Sequence, residues 1–285
     1  MPVSVAVVEF IKDVDSLVSF PAVGARVNEL VNDPSVNMAE IGKAISLDPA
    51  LTARLLRMAN SSAYGLTAKV DSVARAAAVL GTKRLRDMVL ATSTVSAFEG
   101  IPNTLVTMES FWRHSLFCAV AARVIADSFN RRDGDTLFLA GLLHDIGQLL
   151  IFNQKPQQAK AALIKVLDSS EDLALHDTEC EILGFDHAQV GGELLRHWNF
   201  PDVLVECVEF HHAPDQAKKF PEEVAFINVA NSIAALAEVD SVAVEDVAVA
   251  ERNAWALIGF TADMVEPAVH AAREKFDEVK DLFKT

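Results

Sequence analysis

At 285 residues, 51% hydrophobic and 23% charged, the chain has the composition of an ordinary globular protein with core enough for one large or two medium domains, which excludes a disordered or low-complexity chain. Its formal net charge of -15 repels a phosphate backbone, so direct nucleic-acid binding is not expected, and the small cluster Lys83, Arg84 and Arg86 reads as a solvated helix face. Cys118, Cys180 and Cys207 are too scattered for a disulfide framework or zinc ribbon, and with neither a leader-like start nor an uninterrupted apolar stretch of membrane length the expectation is a soluble, cytoplasmic protein without membrane contact.

The first elements are short. Val3 to Leu17 is weakly amphipathic, and Phe20-Pro21 restarts the pattern. Val23, Val27, Leu30 and Val31 then recur at helical spacing up to the turn Asn32-Asp33-Pro34. Asn37 followed by Glu40 predicts a capped helix carrying Ile41, Ala44 and Ile45. Asp48-Pro49 has the form of an N-cap with proline in the first turn, ahead of the stripe Leu51, Leu55, Leu56 and Ala59. The polar run Asn60-Ser61-Ser62-Ala63-Tyr64-Gly65 suits either a ligand loop or a simple cap and turn. Asp71 is placed to cap a helix through Leu80. Gly81 supplies a permissive C-terminal position, and Thr82 starts a further helix to Phe98. Gly100-Ile101-Pro102-Asn103 breaks the chain, so residues 1–103 read as an N-terminal helical subdomain and 104–285 as a second helical domain.

The second half continues without strand-like alternation. Helices are expected over about Leu105 to Phe129, Gln157 to Leu167, Leu173 to Leu183, Asp186 to Trp198, Pro201 to His212 and Pro221 to Ala237. Further helical segments lie near Val244 to Leu257 and Met264 to Phe283. The fold class is therefore all-α.

The stretch LAGLLHDIGQLL, Leu139 to Leu150, places His144 and Asp145 side by side in what reads as a buried helix. Neighbours on a helix point about 100° apart, so both can be buried only around a shared polar pocket. A metal site is one such pocket. A core histidine bonded to a backbone carbonyl, with the aspartate in a local ion pair, is the other.

All eight histidines lie in the second domain, residues 104–285, and histidine is the commonest metal ligand. His114, His144-Asp145 in LLHDIG, His187 in FDHAQVGGELL and His211-His212 occur in an order that resembles the HD superfamily of metal-dependent phosphohydrolases. The FPAV start, SLDPALTARLLRMANSSAYG and VARAAAVLGTKRLRDMVL resemble the HDOD domain of bacterial signalling proteins. Together these cover nearly the whole chain.

The resemblance implies an N-terminal helical subdomain packed on an HD-like helical domain, with His114, His144, Asp145, His187, His211 and His212 as candidate ligands for Fe, Mn or Zn. Mixed nitrogen and oxygen donors exclude none of these metals. Departures point to a partly degenerate site. Asn231 stands where HD enzymes carry a last aspartate, Ser110 stands one turn before the first histidine, and Gln148 follows HDIG in place of lysine. A position made of Asp145, His187, His211 and His212 survives these changes, whereas one built on His114, His144 and Asn231 is weakened. HHAPDQAKKFP lacks the GYP motif of relatives that cleave cyclic di-GMP, so that cleavage is not expected. His176-Asp177 reads as a surface pair, His197 as facing away from His187, and His270 as solvated.

The expected function is an HDOD-type regulatory role in bacterial signal transduction, engaging a signalling protein or a small ligand, with oligomeric state undetermined. The alternative is a metal-dependent phosphohydrolase of a nucleotide or phosphoester, with metal-activated water as nucleophile.

Overall fold

The computed structural model describes residues 5–14, 18–33, 35–61, 69–169, 173–244, 247 and 254–280, and among these no strand occurs. By internal contacts the chain divides into two units. One comprises Met1–Leu17 with Ile101–Arg273, and the other Val18–Gly100 with Glu274–Thr285.

The unit centred on residues 18–100 contains α2 (Ala22–Asn32), α3 (Met38–Ser46), α4 (Pro49–Ala59) and α5 (Val73–Ala97), with the first three packed on the last. Its helix starts follow the local chemistry. Asn37 accepts from the N–H groups of Ala39 and Glu40, and Asp48 accepts from those of Ala50 and Leu51. The cap of α5 is Ser72, bonded to the Arg75 N–H, one residue beyond the expected Asp71. Gly81 takes φ 79° within α5 and kinks it, which is the break expected between Leu80 and Thr82. Asn60 clamps the end of α4 to Val70 through bonds to both its N–H and its carbonyl. That supports the capping use of this asparagine, while Ser62 to Gly65 lie outside the described residues.

The larger unit holds α1 (Val5–Val14), α6 (Met108–Ser128), α7 (Gly134–Leu143), α8 (Ile146–Gln154), α9 (Pro156–Asp168), α10 (Leu175–Leu183), α11 (His187–His197), α12 (Asp202–Glu209) and α13 (Pro221–Glu238). A single turn at Trp255–Ile258 and the terminal helix α14 (Val265–Val279) follow, α14 belonging to this unit through Arg273. The expected segment Val244 to Leu257 falls mostly outside the described residues. Helix α1 packs on α11, with the Phe10 ring 5.3 Å from that of Phe185.

Two features position the site. The apolar stretch around His144-Asp145 is not one helix, because α7 stops at Leu143 and Asp145, at φ -97° and ψ 7°, opens α8. This corrects the single-helix expectation and removes the angular problem that a continuous helix would pose. The segment Gly134–Gln154 is long and apolar enough by composition to cross a membrane, but Asp135, His144 and Asp145 interrupt it and 94% of that window is buried inside the fold.

The second feature is the crossing of α8 and α11. A β-carbon at Gly147 would lie 2.6 Å from the Gly191 amide nitrogen, so the two backbones touch only because residue 147 has no side chain. That contact brings the N-terminal ends of α8 and α11, and hence Asp145 and His187, to one point.

Candidate metal centre

Six side chains from α6, the α7–α8 break, the start of α11 and the turn after α12 gather within the larger unit. They form two groups that share Asp145: Asp145 with His187, His211 and His212, and Asp145 with His114 and His144, the potential ligand atoms of each group lying within 4.8 Å of one another. His144, Asp145, His187 and His211 are buried.

Each imidazole of the inner set is oriented by a bond at Nδ1. His144 Nδ1 lies 2.8 Å from the Gly141 carbonyl, and His211 Nδ1 lies 2.8 Å from the Val208 carbonyl. A carbonyl can only accept, so both rings carry their proton on Nδ1 and turn a lone pair outward at Nε2. His187 Nδ1 meets Glu179 Oε2 at 2.6 Å, and His114 Nδ1 meets Glu238 Oε2 at 3.1 Å. All four Nε2 atoms face the Asp145 carboxylate: His144 at 3.2 Å, His187 at 3.3 Å, His211 at 3.6 Å and His114 at 3.7 Å. The Nε2 atoms of His144 and His211 are buried without a well-formed hydrogen bond.

Lone pairs converging on an anionic oxygen repel unless a cation or a proton lies between them. The electrostatics follow from that. Burial disfavours charge on His144 and His187, yet the carboxylates beside them, Asp145 for the first and Glu179 with Asp145 for the second, hold both imidazoles well above their usual pKa. Burial alone would raise Asp145, but His144 and His187 keep it well below the usual carboxylate range. Burial drives His211 and His212 well below the usual histidine value, and the neighbouring imidazoles add to the effect. The cluster can coordinate a divalent metal: neutral imidazoles and one bridging-capable carboxylate are the donors such an ion takes, and the oriented Nε2 atoms supply its side of the geometry.

The sequence model of the HDOD domain matches residues 17–214. The chain belongs to the HDOD family. A crystal structure of a protein provisionally named a phosphohydrolase, from Shewanella amazonensis SB2B, is 25% identical with a TM-score of 0.77, covering 99% of each chain. An HDOD domain protein of unknown function from Geobacter sulfurreducens is 22% identical with a TM-score of 0.76, covering 98% of this chain and 97% of that one, and shows the shared fold. An uncharacterized protein of Treponema pallidum (strain Nichols) is 24% identical over an alignment of 226 residues, covering 76% of this chain and 42% of that relative, so the HDOD chain spans less than half of its length.

Some neighbours of this HDOD centre were not anticipated. His176 pairs with the exposed Asp177, its Nε2 3.6 Å away, as expected, but its half-buried ring also stacks on His212, ring centroids 4.1 Å apart and 17° from parallel. His176 and Glu179 stand three apart on α10, and that spacing was the available signal for a shared face. Helix α13 supplies Glu238 to His114 and bonds the Asn228 amide to the His211 carbonyl at 2.8 Å. Ser110 is engaged in the N-terminal cap of α6 through Thr107. His270 is exposed and lies 3.7 Å from Glu266, as expected of a solvated residue.

Proposed function

We propose that this HDOD protein is a regulatory component of bacterial signal transduction whose HD-type centre holds a divalent cation, Fe, Mn or Zn, and which engages a signalling protein or a small ligand. Asp145, His187, His211 and His212 are its ligands, and His114 and His144 close the other side of Asp145. The observation that carries this reading is the common orientation of His114, His144, His187 and His211, with Nδ1 committed to acceptors and Nε2 turned to one carboxylate, while His212 reaches the cluster through its Nε2 against that of His187. A bound metal would supply positive charge and Lewis acidity there. The protein's own groups fix ring orientation and exclude water from His144 and His211, which are wholly buried.

Asn231, at the place where the resemblance to HD enzymes implies a last aspartate, favours a sensing or structural centre over a hydrolytic one. A phosphohydrolase acting on a nucleotide or phosphoester is the second reading, favoured by the provisional name of the Shewanella relative. Elemental analysis of untagged protein, followed by a phosphodiesterase screen with Mn and Fe, separates the two. Stoichiometric metal without turnover is the expected result, whereas turnover abolished by Asp145→Ala would replace regulation with hydrolysis.

A further inference from the structure

Glu179 lies outside both groups of potential ligands, yet it is 0% exposed and places both of its contacts on one residue. Its Oε2 accepts from the His187 main-chain N–H at 2.9 Å and from His187 Nδ1 at 2.6 Å. Its Oε1 is buried without a hydrogen-bond partner. Resting on the metal-centre reading above, we propose that Glu179 is a positioning residue that sets metal affinity by holding His187 as a charge-assisted Nδ1 donor.

The main-chain bond fixes the first residue of α11, where an N–H has no partner within the helix. The side-chain bond fixes the ring of that same residue, so helix start and imidazole are locked by one oxygen. A carboxylate at Nδ1 also withdraws the proton further than a carbonyl does and makes Nε2 the more basic donor. His144 and His211 have only carbonyls at Nδ1, and the carboxylate serving His114 is partly exposed. His187 is thus the ring with the strongest orienting partner. Its Nε2 sits between Asp145 Oδ1 at 3.3 Å and His212 Nε2 at 3.0 Å, at the heart of the four-ligand group.

The test compares wild type, Glu179→Gln, Glu179→Ala and the exposed control Glu181→Gln, each checked for fold by circular dichroism. Competition against a chromogenic chelator for Zn and Mn reads affinity. Loss of about ten- to a hundredfold is expected for Glu179→Ala, with a smaller loss for Glu179→Gln, which keeps an acceptor, and none for the control. Nitrogen-15 spectra of histidine-labelled protein without metal, followed up in pH until the ring is neutral, with His187 assigned by its absence in His187→Asn, read the tautomer directly. His187 protonated at Nδ1 in wild type, and losing that preference in Glu179→Ala, supports the inference. Wild-type affinity in the folded Glu179 variants, or a wild-type His187 protonated only at Nε2, overturns it. Should wild type bind no metal, the metal-centre reading falls and the affinity claim falls with it, whereas the tautomer spectrum still decides whether Glu179 positions His187. If Glu179→Ala does not fold, Glu179→Gln decides both readouts.

Discussion

A β-carbon on Gly147 would stand 2.1 Å from the carbonyl oxygen of His187, closer than any real side chain approaches backbone. The distance between Asp145 and His187 therefore depends on a residue that is neither of them. Gly147→Ala forces α8 and α11 apart, and because the obstruction is main chain it cannot turn aside. The expected cost is about 3 kcal/mol, at the upper end for overpacking. Thermal melts should show the loss, and metal content should fall in whatever protein remains folded. A variant that melts and loads like wild type would refute the crossing as the determinant of the site.

Gly81 makes the opposite case. Its φ is 79° and nothing lies within 4 Å of the point a β-carbon would occupy there, so a side chain meets strain but no obstacle. Gly81→Ala and Gly81→Asn should each cost about 1–3 kcal/mol, since φ 79° with ψ 170° lies in an essentially glycine-only region, outside the left-handed helical well that asparagine tolerates. Chemical denaturation can rank the three.

The two ligand groups predict unequal responses. His212 belongs to the four-residue group, whereas His114 belongs to the three-residue group and is half-buried. With one equivalent of metal bound, His212→Ala should weaken it by about tenfold or more, while His114→Ala retains it, because losing a direct ligand exceeds the usual effect of losing an outer contact. Elemental analysis after dialysis against a weak chelator distinguishes the outcomes, and the reverse order would move the principal position to the His114 side.

Cys180 is exposed, yet its thiol is pushed up to about 12, first by partial burial and then by Asp186, Glu179 and Asp177 around it. A raised thiol pKa keeps the neutral form up to high pH, so alkylation should be slow near pH 8 and accelerate toward pH 12. At pH 8 the thiolate fraction would be about a thousandfold below that of an ordinary cysteine. Asp186→Asn should speed the reaction by removing one opposing charge. Rapid labelling of Cys180 in the wild type at pH 8 would contradict this.

Much of this molecule follows from local chemistry. Asn37 and Asp48 cap their helices as their side chains dictate, Gly81 breaks α5 where only glycine is comfortable, and Asp186 caps α11 through the Gln189 N–H. The six candidate ligands were named by the likeness of short motifs around them to the HD superfamily, not by local chemistry. The end of α12 was not legible: the periodicity ran on to His212, whereas the helix stops at Glu209 and leaves His211 and His212 in a turn.

The sequence by itself determined the all-α class and most helix starts, since these depend on caps and periodicity within a few positions of each other, and its likeness to the HD superfamily named the candidate ligands. Only the tertiary structure decided that the chain breaks at His144-Asp145, that His176 stacks on His212, and that Glu179 is buried beneath His187. The acid-rich stretch of α10 looks solvated when read along the chain. Burial is set by which helices close over it, here α9 and the start of α11, whose His187 takes both contacts of Glu179.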